Sequence, residues 1–159
     1  MSRNNNQWKQ RLWRYGPLVI WLVIIFFAST GAMASSNTSR IVRPLVLWLY
    51  PSISEEGLAT IHLIVRKLAH FTEYATLAIL AARAFSTSSI ILLQRWWFAF
   101  AVGLVVLYSL SDEFHQSFVA TRTGSIYDSL IDMAGGLAGA LIYWAWRRRR
   151  NTGRQYRRF

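Results

Sequence analysis

The sequence predicts an all-α fold: a polytopic integral membrane four-helix bundle with both termini cytoplasmic. Three observations predict it. Hydrophobic residues make up 53% of the chain and charged residues only 16%, where a soluble domain has roughly 45–50% and about 25%. The net charge is nevertheless +11. Eleven of the eighteen basic residues lie in two end segments that contain no acid. These are Arg3, Lys9, Arg11 and Arg14 in residues 1–16, and Arg147 to Arg150, Arg154, Arg157 and Arg158 in residues 147–159. A nucleic-acid binder would spread such residues over a folded polar face. Here they abut apolar segments directly, the pattern of cytoplasmic flanks around membrane spans. Eight Trp and nine Phe exclude disorder for most of the chain. The lack of Cys excludes a disulfide scaffold, thiol chemistry, iron–sulfur clusters and Cys-ligated zinc.

Residues 1–16 form a basic cytoplasmic tail, and 17–146 the transmembrane domain. The first span covers about 17–34, PLVIWLVIIFFASTGAMA. A basic start, an apolar stretch and Ala32-Met33-Ala34 also fit a secretory signal cleaved after Ala34. Near-spanning length favours a retained anchor. Either way the chain emerges outside, into an outer loop at 35–60. Within that loop, 44–51 reads PLVLWLYP. It is too short to cross and is suited to lie in the interface or over the bundle. The second span, about 61–85, has the length but carries Arg66, Lys67, His70 and Glu73 in its first half. Taken alone it also fits an amphipathic surface helix. The third, about 96–111, opens WWFAFAVGLVVLYSL and runs on into SDEFHQ. The fourth, about 126–146, ends in Trp144 and Trp146 against the arginine block, as an interfacial aromatic belt does. Residues 147–159 are the second cytoplasmic tail, whose charge also suits anionic lipid headgroups. Four spans put both basic tails and the Arg95 loop inside, whereas three would put one tail outside.

Five of the seven acids, Glu73, Asp112, Glu113, Asp128 and Asp132, fall in or at the ends of spans. Ionisable groups there are costly and face a bundle interior or a wet cavity. Lys67, His70 and Glu73 step by three, and Tyr74 follows His70 at i+4, so they share one helix face. Asp112 and Gln116 are i, i+4; Glu113 and Gln116 are i, i+3. Ser125, Asp128, Asp132, Gly135 and Gly139 step 3, 4, 3, 4 as a single stripe, from which Ile126, Leu130, Leu137 and Leu141 point away. Spans of alternating direction bring all three groups to the outer leaflet, with Arg122 in the turn between two of them. The expectation is an outward-facing polar pocket. Each part also has a plainer reading. Charges at helix ends snorkel into headgroups. Asp128 favours a helix N-terminus. Arg122 pairs with Asp112 or Glu113 to hold the turn. Gly135, Gly136 and Gly139 are close-packing positions.

There is no Gly-x-Ser-x-Gly, no phosphate-cradling glycine loop and no His-Glu-x-x-His. The sequence calls for no cofactor and predicts no metal; His70 with Glu73 and His115 with Asp112 are weak metal candidates at i, i+3. Glu73 with Asp112 or Asp128 would supply an acid and a base. The five acids outnumber Arg66, Lys67 and Arg122. An acid is therefore expected to be protonated, or a cation or cationic ligand to bind.

In order along the chain, Lys67-x-x-His70-Phe71-x-x-Tyr74-x-x-Leu77, Asp112-Glu113-x-x-Gln116, Arg122-x-x-Ser125-x-x-Asp128, then Gly135 or Gly136 with Gly139, resemble the VanZ-like family. The resemblance covers about 61–146, and the ordered set is more specific than any one piece. It departs at Asp132, where the family leads one to expect Asn. The resemblance implies a small multi-pass protein of the bacterial cytoplasmic (inner) membrane, of a type that accompanies antibiotic resistance and lowers sensitivity to the glycopeptide teicoplanin. Carried over by position, its matching residues are Lys67, His70, Tyr74, Asp112, Glu113, Gln116, Arg122, Asp128 and Gly139. Two function classes follow. One is a non-enzymatic envelope protein whose pocket binds an envelope component, a lipid-linked precursor or a glycopeptide. The other is a membrane-embedded enzyme acting on a lipid-linked substrate by carboxylate acid/base or metal chemistry. A proton-coupled carrier is disfavoured, since no polar path reaches the inside. The expected partners are membrane lipids and such a ligand, not nucleic acid.

Overall fold

The computed structural model describes residues 2–29, 35–118 and 126–156. Its elements are α1 (Ser2–Ser29), α2 (Ser35–Leu49), α3 (Glu55–Ser86), α4 (Ile91–Arg95), α5 (Trp97–Gln116) and α6 (Ile126–Tyr156). The fold is all-helical, with no strand among the described residues. Ala32, Met33 and Ala34, the possible cleavage site, lie outside the described residues, as do Arg122 and Ser125.

Local chemistry explains where these helices run. Helix α1 passes through Pro17. Proline has no N–H, so the carbonyl four residues back loses its helical partner. That carbonyl belongs to Trp13, and Arg83 of α3 donates to it at 3.3 Å. Residues 44–49, expected to lie in the interface or over the bundle, form the later part of α2, which packs on α3. Val46 turns inward there, while Leu45, Trp48 and Leu49 are exposed. Helix α3 begins earlier than the hydropathy suggests because Ser54 caps it. The Ser54 hydroxyl accepts from the Gly57 N–H at 3.1 Å, and Glu55 and Glu56 occupy the first turn, where the helix dipole favours acids. At its far end, α6 continues straight through the arginine block.

Cross-helix bonds set the directions. The Trp21 indole donates to the Glu73 carbonyl at 3.0 Å and Arg83 reaches Trp13, so α1 and α3 are antiparallel. The Tyr108 hydroxyl donates to the Leu22 carbonyl at 2.6 Å and Ser29 meets His115, so α1 and α5 are parallel. Arg66 meets Asp128 and Ser86 meets Tyr143, so α3 and α6 are parallel. The four long helices therefore alternate in direction along the chain.

The most extensive contact is between α3 and α6. Small side chains permit it: Ala78, Ala81, Ala82, Ala84 and Ala140 have no exposed surface. A methyl group at Gly135 would collide with the Phe71 carbonyl, and one at Gly139 with the Ala75 carbonyl. Gly136 leaves room for the Val105 side chain of α5. Leu130, Leu137 and Leu141 face outward from the same helix.

Two stretches, Gln7–Ser29 and Trp97–Gln116, are long and apolar enough to cross a membrane. They are not buried core helices. Val19, Ile20, Val23, Ile24, Phe26 and Phe27 are exposed on α1, and Leu107, Leu110 and Phe114 on α5. In water such surface would drive association; against lipid tails it costs nothing.

Gly135→Ala and Gly139→Ala are expected to lower stability by about 1–3 kcal/mol, because backbone rather than a movable side chain is in the way. Gly103→Ala meets nothing within 4 Å and should gain roughly 0.5–1 kcal/mol of helix propensity. Thermal unfolding in detergent checks both. A Gly139→Ala midpoint equal to that of the parent would count against the close helix contact.

Candidate functional site

The acids lie toward one end of the molecule, and most of the basic residues toward the other, with Arg43, Arg66 and Lys67 on the acidic side. The start of α1, the end of α3, α4, the start of α5 and the last third of α6 meet at one end, through Tyr15–Ser88, Ser86–Tyr143 and the Trp97–Tyr143 ring contact. The first half of α3, the end of α5 and the start of α6 meet at the other. Glu73, Asp112, Glu113, Asp128 and Asp132 all belong to this second end.

There, two parallel contacts one turn apart join α3 to α6. Arg66 donates to Asp128 at 2.5 Å, and His70 Nδ1 stands 3.2 Å from Asp132 Oδ1. The spacing is the same on both helices, i and i+4, so one register satisfies both pairs. The Asp132 side chain is 0% exposed. Its contact with His70 is an ion-pair approach without hydrogen-bond alignment, and Asp132 Oδ2 bonds to no protein atom. The Tyr74 hydroxyl lies beside the carboxylates of Asp112 and Asp132; like Ser129 Oγ, it is buried and makes no aligned hydrogen bond to protein. From α5, Gln116 Nε2 donates to Asp112 Oδ2 at 2.8 Å. Asp112, Glu113, Gln116 and Asp128 are all buried.

The structure thus brings together His70, Tyr74, Asp112, Gln116, Asp128 and Asp132, with Glu113 buried one residue from Asp112. Glu73 is half-buried on α3, and its carbonyl is engaged by Trp21. Lys67 sits between Arg66 and His70 and makes no ion pair among the described residues. Spacing alone selects Lys67, yet its neighbour Arg66 is the residue that reaches Asp128. Ser129 is the other residue the sequence pattern passes over; its signal was its place one turn before Asp132. Arg122 lies outside the described residues.

The contacts of the two weak metal candidates, His70 and His115, run across helices. His70 meets Asp132 across helices. His115 stacks on Phe26 with centroids 5.2 Å apart, and its Nδ1 lies 3.4 Å from the Ser29 hydroxyl. Among the described residues no three metal-ligating side chains converge.

Chemically, an imidazole held against a buried carboxylate can take up and return a proton. The hydroxyl and carboxylate groups around it supply acceptors and donors that the protein itself leaves unused, which is how a polar ligand or ordered water is held in a dry interior.

A family model described as VanZ/LLP1 matches residues 15–147. No curated protein and no solved structure matches the chain.

A double-mutant cycle on Arg66→Gln and Asp128→Asn should give a coupling of about 0.5–3 kcal/mol, since the pair is partly sheltered and hydrogen-bonded. The same cycle on the exposed Arg43–Glu55 pair, 2.7 Å apart, should give roughly 0–1 kcal/mol. Equal couplings would contradict the packing described.

Proposed function

The chain belongs to the VanZ/LLP1 family, and from that premise we propose a multi-pass protein of the bacterial cytoplasmic membrane with a teicoplanin-resistance-like role. In this reading α1, α3, α5 and α6 cross the membrane, and both basic tails are inside. The acid-rich end then opens outward as a pocket for an envelope component, a lipid-linked precursor or a glycopeptide. The observation that carries the reading is Asp132. A fully buried carboxylate, paired among the described residues with His70 alone and flanked by Tyr74 and Ser129, is expensive to keep. Packing alone would be served by Asn or Leu. The distribution of charge supports the orientation, since most of the basic residues gather at the opposite end, though Arg43, Arg66 and Lys67 do not. An acid-rich lining favours a ligand with amine or hydroxyl donors.

The 3.2 Å His70–Asp132 approach also favours a second reading. An imidazole oriented by a carboxylate is a general base, and a lipid-linked substrate would reach it from the bilayer. In that case His70→Gln abolishes turnover of the precursor while leaving its binding intact. For a binding protein no turnover exists to lose.

Teicoplanin susceptibility of a sensitive host tests the leading reading. Expression of the parent should raise the inhibitory concentration. Asp112→Asn, Asp128→Asn and Asp132→Asn, at equal amounts in the membrane, should return it toward the host's. Variants as protective as the parent would sink the pocket assignment.

Orientation has its own test, made simple by the absence of cysteine. Ser54→Cys should react with a membrane-impermeant maleimide in intact cells. Ser89→Cys should react only after permeabilisation. The reverse pattern would refute the proposed topology.

A further inference from the structure

The basic end carries Lys9, Arg11, Arg14, Arg83, Arg95 and Arg147 to Arg150, and no acid among the described residues. Positive flanks explain orientation and need no ligand. One of these residues is held differently from the rest. The guanidinium of Arg148 lies over the Trp144 ring at 4.4 Å, and that of Arg150 over Trp146 at 4.6 Å. Both pairs are i, i+4 on the exposed surface of α6. Arg147 instead turns toward the helix interface and lies 5.7 Å from the Trp97 ring of α5. It is partly buried, and its Nη1 is sealed from solvent without an acceptor among the described residues.

A buried guanidinium N–H without an acceptor is costly. The groups that best remove that cost are phosphate and carboxylate oxygens, which bring charge and planar bidentate geometry together. Among the described residues no carboxylate side chain lies at this end. In a membrane the end of a span meets lipid phosphates, and aromatic rings gather at that depth. Trp97 and Tyr143 form such a floor here, with rings 5.4 Å apart, and Tyr143 is anchored by its 2.9 Å bond to Ser86. Arg95 lies two residues before Trp97. Beside it, Leu92, Trp96, Ala99 and Phe100 line an open apolar depression of about 280 Å³, a bed for an acyl chain.

We infer that Arg147, set over the Trp97 ring, binds the phosphate of an anionic phospholipid, with Arg95 as a second cation. A nucleic acid fits less well. It would reach the exposed Arg148, Arg149 and Arg150 rather than a guanidinium turned into a helix interface. The inference rests on the membrane reading for its supply of lipid, but not on orientation or on the polar cluster at the other end.

The test uses full-length protein, delipidated in neutral detergent and titrated with phosphatidylglycerol or phosphatidylcholine, with bound lipid counted by native mass spectrometry. Phosphatidylglycerol should be retained about tenfold more tightly, because both lipids offer a phosphate but the choline cation of phosphatidylcholine is repelled by Arg147 and Arg95. Arg147→Gln should remove that preference, Arg147→Lys should keep part of it, and Arg148→Gln should leave it unchanged. Equal retention of the two lipids by the parent overturns the inference, whatever the variants do, so a misfolded Arg147→Gln does not shelter it. Inorganic phosphate stabilising the protein as well as phosphatidylglycerol does would also overturn it. So would displacement of bound lipid by single-stranded RNA at physiological salt. Because lipid binding is read in detergent, it succeeds or fails independently of the susceptibility and labelling experiments.

Discussion

Helices α3 and α6 touch backbone to backbone, at Gly135 against Phe71 and Gly139 against Ala75, and the polar contacts nearby follow from that approach. Lipid gives helices no hydrophobic reason to associate, so close packing of small residues must hold them. The alanines of α3 extend the same flat surface toward the basic end. Once the two helices run parallel at this short distance, Asp132 faces His70 and Asp128 faces Arg66. Neither pair has freedom to choose another register, because the glycine contacts set it.

That constraint makes the buried acids tolerable. A carboxylate in a low-dielectric interior is costly unless its partner is held in place. Here the partners lie on α3, which the glycine seam keeps in position. The third helix adds Asp112 already bonded to Gln116, a pair that needs only its own i, i+4 spacing. The polar groups are therefore organised by the helix packing itself, which would reduce what the proposed binding has to order. The same rigidity suits either a binding pocket or a general base.

The two ends of the molecule solve opposite problems. At the acidic end, charges are buried and must be matched within the protein. At the basic end, charges spread over aromatic rings and backbone, as with Arg148 on Trp144 and Arg83 on the carbonyl that Pro17 leaves without a helical partner. Arg147 is the exception among them, with a buried N–H facing no acceptor among the described residues. The concentration of basic residues at one end gives the molecule a direction, which suits the positive-inside orientation proposed above.

Much of this was legible in the residues. The helical period of 3.6 placed Asp128, Asp132, Gly135 and Gly139 on one stripe and Leu130, Leu137 and Leu141 away from it, because facing is a local property of a helix. The helical class, the apolar first and third long helices and the family followed from composition and ordered motifs. Partner identity did not. Spacing shows which side chains share a face, but not which helix that face meets. So His70 is matched by Asp132 on α6 rather than Glu73 on its own helix, and His115 by Ser29 and Phe26 on α1. It is Arg66, not Lys67, that reaches Asp128. Helix ends were likewise decided beyond hydropathy, by the Ser54 cap and by packing of α2 on α3. Sequence by itself determined the faces, the charge division and the fold class, all of which are sums over single residues. Tertiary structure decided the pairings, because each depends on two distant segments arriving in one register, and here two glycines set that register.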